Sequence, residues 1–412
     1  MNEQLRREPF RILFPLGAVL AWIAVLPWML FGTGFIRAWL GTYHALTMTQ
    51  GFLIAMVLGF LGTLLPRRTG CAPFSTLELG ICVVGLVAVP IGLVTGRLVG
   101  AELAYLVVLV TLIQFAVRRV PGGKRPPHPS FVWMPVGLLA GMVGSVLIIV
   151  SALGHGSLLA AGRALVEEGL LLSLVLAVAP MLASVITQDH ALPDPSASSY
   201  RRQRNLHLVA GALLLGSFAV QFMLSERAGM LLRGTVVAAE VLWACRIDRP
   251  PSVPGLHRWL FWLALIFVPL GLLCAGARPA LRVPFLHLTF IGGFSMLVFA
   301  VSFHVVFMHT GREDLARRWP WPVAAAGLLV LLATGARVSA EQFPEHYFGA
   351  LAIASSLWLA GALVWGSFVI SLVARAPSGH TSISLPGSPS TDPSPLMDRG
   401  GHGSVSSGQG IE

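Results

Sequence analysis

His44 and His287 each open a long apolar segment, and the two segments are alike. One begins His44-Ala45-Leu46-Thr47 and runs through Gly51-Phe52 to Pro66-Arg67-Arg68-Thr69-Gly70. The other begins His287-Leu288-Thr289-Phe290 and runs through Gly293-Phe294 to His309-Thr310-Gly311-Arg312. At helical rise the histidines stand about 34 and 38 Å from the arginines that close their segments, which places the two rings level. Two level imidazoles on different helices are what axial ligation of a transmembrane b-type haem requires. At about 100° per residue His44 shares a stripe with Met48, Gly51, Ala55 and Gly62. That stripe admits either a flat macrocycle or the close approach of a neighbouring helix. Beneath His287, the residues Ile291, Phe294, Val298 and Val301 make an apolar wall.

A second set of imidazoles lies on the inner side, His207 on span 7 and His304 and His309 on span 10. His207, His304 and His309 are candidates for copper or a second haem, because imidazole suits both. His309 falls some 33 Å along its helix from His287 and cannot join the first site. Arg233 and Glu240, seven apart, read as one helix face, either as a buried structural pair or as the mark of a proton path. Gln50, Gln114 and Gln221 read as hydrogen bonders between helices. His128, His190 and His257 fall in loops by this reading.

The elements that carry these residues are membrane spans. Apolar residues form 55% of the chain and charged residues 11%, against roughly 25% charged in soluble domains. Mean hydropathy is +0.77. Apolar runs long enough for a hydrocarbon core recur at 12–33, 44–66, 77–97, 100–117, 131–153, 165–187, 205–224, 228–246, 259–276, 284–309, 320–338 and 346–374. The expectation is an all-α polytopic integral membrane protein of about twelve transmembrane helices. With both termini cytoplasmic, 20 of the 28 basic residues fall in inside segments, as the positive-inside rule requires. The net charge of +10 is then a topology signal and an attraction to anionic lipid, with no nucleic-acid partner implied. The organisation is a twelve-span domain over 1–375 and a Ser-, Gly- and Pro-rich cytoplasmic tail over 376–412, too polar to order itself. Cys71, Cys82, Cys245 and Cys274 have no metal-ligand spacing. No phosphate-binding loop or hydrolase triad is present in the chain.

The sequence resembles the NnrS family of bacterial membrane proteins. The likeness is carried by Glu8-Pro9-Phe10-Arg11, by Tyr43-His44-Ala45 with Gly51-Phe52 and Gly59-Phe60 behind it, and by Thr69-Gly70. Late in the chain it is carried by Leu286-His287-Leu288-Thr289 and Met308-His309-Thr310-Gly311-Arg312. The resemblance implies a haem- and copper-binding protein of the bacterial inner membrane, tied to nitric oxide metabolism and nitrosative-stress tolerance. It implies nitric oxide or an iron–nitrosyl species as a partner beside haem and the lipid bilayer. On this basis His44 and His287 are the cofactor ligands, and His44, His287, His304 and His309 are the candidate metal ligands. The family's second span opens Trp-His-Ala-His-Glu, whereas this chain has Leu46 and Thr47 in the last two places, which favours haem over copper. The family's arginine on span 10 is also replaced near His304. Twelve spans with histidines on spans 2 and 10 are similar to the haem–copper oxidase subunit too, but span 6 has no histidine to match that enzyme's copper ligands. The alternative functions are a small-solute permease using these histidines and a quinol-linked membrane redox enzyme.

Overall fold

The computed structural model describes residues 3–38, 40–124, 126–187 and 197–375. His190 and the tail over 376–412 lie outside the described residues. Twelve long helices follow one another: α1 (Phe10–Gly32), α2 (Gly41–Thr69), α3 (Thr76–Val94), α4 (Leu98–Arg119), α5 (Pro129–Ala152), α6 (Gly156–Ile186) and α7 (Ser198–Met223). Then come α8 (Glu226–Ala244), α9 (Leu256–Ala277), α10 (Pro279–His309), α11 (Trp321–Gln342) and α12 (Pro344–Arg375). Among the described residues no strand is present. Eleven of these helices are long and apolar enough to cross a membrane. The twelfth, α8, has 19 residues but carries Glu226, Arg227, Arg233 and Glu240. It packs between α7 and α9, and its buried charges, Arg233 and Glu240, are met by protein. Large apolar side chains such as Val84, Val117, Leu139, Val209, Leu328 and Ile353 are exposed on the outside of the bundle. Lipid accepts such a face where water does not, and the chain is a multi-pass membrane protein.

Three helices form the centre. In α2, α6 and α10 the shares of the apolar stretch that are buried are 83%, 78% and 78%, against 33% to 56% for the other eight. Each is the second helix of a set of four. Each also contains a π-helical stretch: Thr47–Leu53 in α2, Leu165–Leu170 in α6 and Leu288–Ser295 in α10. A π turn spends extra residues per turn and is frequent at functional sites. It also invalidates a uniform helical wheel drawn through it. The stripe expected to join His44 to Gly51, Ala55 and Gly62 is broken by the π stretch. Below His44 its small residues are filled by neighbours: Leu20 faces Gly51, Phe14 faces Gly59, and Phe74 with Pro9 covers Gly62. Close helix approach, not room for a macrocycle, is what the glycines of α2 provide.

A glycine also sets the position of α10. A Cβ on Gly271 of α9 would lie 2.4 Å from Thr289 Oγ1 and 2.7 Å from the backbone at Phe285 and Thr289. Thr289 is in the π stretch and donates its hydroxyl to Val268 O at 2.9 Å. Backbone cannot yield as a side-chain tip does. Gly271→Val is therefore expected to cost at least the about 1–3 kcal/mol of core overpacking, read as a lower thermal midpoint in detergent. An unchanged midpoint would show that α9 and α10 are not held at this distance.

Candidate functional site

The first turn of α2 carries His44, and its Nδ1 donates to Ala24 O of α1 at 3.0 Å. His287 of α10 donates Nδ1–H to Val283 O, one turn back, at 2.7 Å. A carbonyl oxygen only accepts, so in both rings the proton sits on Nδ1 and Nε2 keeps its lone pair. Metal-binding histidines are held by the same kind of outer hydrogen bond. Trp28 stands edge-on to His44 with centroids 5.8 Å apart, and Phe290 stands edge-on to His287 at 6.0 Å. Both rings are half-buried. The two interact electrostatically with each other, and Arg337 of α11 acts on both. Arg337 is buried, bonds to Tyr347, and has one guanidinium nitrogen, Nη1, without a hydrogen-bond partner. Two imidazoles with free lone pairs and a cation with a free donor therefore share one end of the bundle. Arg337 carries no motif; its signal in the sequence is a lone arginine near the end of an apolar run.

The opposite end, where both the start and the end of the helical bundle lie, is closed by a clasp. Glu8 accepts from Arg11 Nε at 2.6 Å, from Arg67 Nη2 at 2.5 Å and from His309 Nδ1 at 3.2 Å. Arg67 Nη1 also approaches His309 Nε2 at 3.4 Å. Arg11 reaches Val373 O of α12 at 3.3 Å, and Phe10 packs edge-on against His309 at 5.2 Å. Both ring nitrogens of His309 are thus engaged in the clasp. Burial alone raises the Glu8 carboxyl, but the His309 and Arg11 hydrogen bonds outweigh it and hold it at about 2. A depressed carboxylate stabilises the fold fully above its unfolded value near 4.5 and loses that contribution as pH falls toward about 2. The contribution is about 3 kcal/mol. Glu8→Gln is expected to lower the thermal midpoint at pH 7 and to flatten its decline between pH 4.5 and 2. A variant whose acid profile overlays the parent would remove the clasp from the stability of the bundle.

The second histidine set is not brought together. His207 of α7 bonds Glu240 of α8 through Nδ1 at 2.7 Å. His304 meets His257, Nδ1 to Nε2 at 3.2 Å, with the rings stacked at 5.4 Å. His257, read from sequence as a loop residue, is 1% exposed in the first turn of α9. Among the described residues no three His, Cys, Asp or Glu side chains converge as a metal site. The Arg233–Glu240 pair is likewise corrected. Seven residues put the two on one face but about 10 Å apart along the helix, so neighbouring helices claim each of them. Arg233 pairs with Glu168 of α6 and Gln221 of α7, and stacks on Phe218 at 3.5 Å. Gln50 and Gln221 are interhelical hydrogen bonders as expected, while Gln114 is exposed. Gln50 bonds Glu102 of α4, a fully buried carboxyl that sequence reasoning passed over.

A family model described as NnrS protein matches residues 4–376. The chain belongs to the NnrS family. That match covers all twelve helices, and no curated protein matches the chain. The residues that carried the NnrS resemblance fall at both ends of the bundle. Tyr43-His44 and Leu286-His287 stand at the distal pair, while Glu8, Arg11 and His309 meet in the clasp.

Proposed function

We propose that this NnrS-family protein binds haem between α2 and α10 and serves the nitric oxide response of the bacterial inner membrane. The observation that carries the reading is the matched pair of histidines. Each has Nδ1 bonded to a backbone carbonyl and Nε2 left as a ligand. The donor set fits haem: two neutral imidazoles for the iron, and the unpaired Nη1 of Arg337 for a carboxylate of the macrocycle. When bound, haem would supply a redox-active iron centre that takes a diatomic ligand only in exchange for one of the two imidazoles. The chain's own residues do the positioning. The carbonyls of Ala24 and Val283 fix the tautomers, and Trp28 and Phe290 limit rotation of the rings. Copper is supported less well, because Glu8 and Arg67 occupy His309, Glu240 occupies His207, and His304 has only His257 beside it. The excess of arginine at the clasp end supports an orientation with both termini in the cytoplasm and the histidine pair on the far side.

The permease reading asks for a path between the two ends. Phe299 stacks on Trp365 at 4.5 Å, and Phe52 and Trp358 close around them between α2, α10 and α12. This aromatic packing supports a fixed binding site over a conduit. The test is the absorption spectrum of detergent-purified protein, oxidised and dithionite-reduced, after expression with added haem precursor. A Soret band that shifts on exposure to nitric oxide is the expected result. A folded, colourless protein would overturn the reading and bring the permease forward.

A further inference from the structure

Four glutamates are buried in the described bundle, namely Glu8, Glu102, Glu168 and Glu240. Three have basic partners: Arg11 and Arg67 for Glu8, Arg233 and Arg282 for Glu168, and His207 for Glu240. Glu102 has none. It is 0% exposed, and its oxygens receive only neutral donors. Gln50 Nε2 lies 2.9 and 3.0 Å from its two oxygens, and Ser145 Oγ lies 2.5 Å from one of them. No charged side chain from α2, α3 or α5 acts on it, and the one other titratable group in reach is Tyr105, a turn along α4.

On the two helices that carry Gln50 and Glu102, further polar atoms are left without partners. The Gln50 carbonyl oxygen, the Tyr105 hydroxyl and the Thr47 hydroxyl are all buried and unbonded. Thr47 and Gln50 are both in the π stretch of α2, and Gln50 lies about 9 Å along the axis from His44. An ionised carboxylate in this setting loses more hydration than two neutral donors return. A single positive charge is missing, and the smallest one is a proton. A protonated carboxyl becomes a donor, and turning the Gln50 amide over lets its oxygen accept that proton. One proton then removes the unpaired charge.

We propose that Glu102, framed by Gln50, Ser145 and Tyr105, is a proton-holding site inside the bundle, just below the His44 end. The inference stands on the contacts of Glu102 and does not depend on haem.

Infrared spectroscopy of the purified protein in lipid nanodiscs at pH 7 tests it, with Glu102→Gln as the reference. The wild-type minus variant difference is expected to contain a carboxylic-acid C=O stretch, unchanged when sodium and potassium are replaced by a bulky organic cation. A difference containing carboxylate bands instead would overturn the proposal. So would an acid band that emerges only after the alkali cations are removed, since a metal ion would then be the natural occupant. If Glu102→Gln does not fold, Ser145→Ala keeps the acid and deletes one of its hydrogen bonds. The acid band should then move to higher frequency, and a band that stays in place would overturn the assignment.

Discussion

Replacement of His287 or His44 by alanine is expected to abolish the Soret band of haem-supplemented protein, with a loss of haem affinity greater than roughly a hundredfold. Altering only the outer partner of a metal-binding histidine costs 10- to 100-fold, and these substitutions remove the ligand itself. Neither ring is needed to hold the bundle together. His44 bonds one carbonyl and His287 bonds the carbonyl one turn back in its own helix. Each variant should therefore keep its helical signal and elute as the parent does. Arg337→Leu removes the cation that acts on both rings and is expected to weaken haem binding less than either histidine change, with Arg337→Lys restoring part of it. His309→Ala is the control. Its ring is engaged by Glu8 and Arg67, so it should lower stability and leave the absorption maximum in place. Loss of the Soret band in His304→Ala, with retention in His44→Ala, would move the cofactor to the clasp end and overturn the assignment.

Arg233→Leu is expected to be the most destabilising single change outside that site. The guanidinium is fully buried, pairs with Glu168, bonds Gln221 at 2.7 Å and Ser217 at 3.2 Å, and lies over the Phe218 ring. Its removal leaves Glu168, itself 2% exposed, with only the longer contact to Arg282 at 3.3 Å. Breaking one side of a buried pair costs about 3–5 kcal/mol, largely because the other charge is stranded. The measurement is thermal unfolding in detergent together with membrane yield. Removing both charges in Glu168→Leu/Arg233→Met should recover most of the loss, since the pair replaced by apolar side chains is close to neutral in energy. A double variant as unstable as Arg233→Leu would show that packing around the guanidinium, not the stranded carboxylate, sets the cost.

The all-helical class and the twelve segments were legible in the chain because length and hydropathy are local properties. So was the likeness of the two segments that His44 and His287 open, because it is a matter of residue type and length alone. Interhelical roles for Gln50 and Gln221 followed from a polar side chain standing in an apolar run. Helical spacing failed wherever the answer depended on a partner from another helix. Arg233 and Glu240 share a face but are too far apart to bond, and His304 and His309 are five residues apart but go to His257 and Glu8. Glu102 gave no signal of its own, since its lack of a counter-charge exists only once α2, α4 and α5 are assembled. The π stretches of α2, α6 and α10 were equally invisible, because they arise from how a helix accommodates its neighbours. Local hydropathy and residue type suffice to say which segments leave water, which carry histidine, and that the chain is like NnrS proteins. Which polar groups meet depends on the assembled bundle, because in an apolar interior charges and donors are satisfied across helices, and residue order does not say which helices will be adjacent.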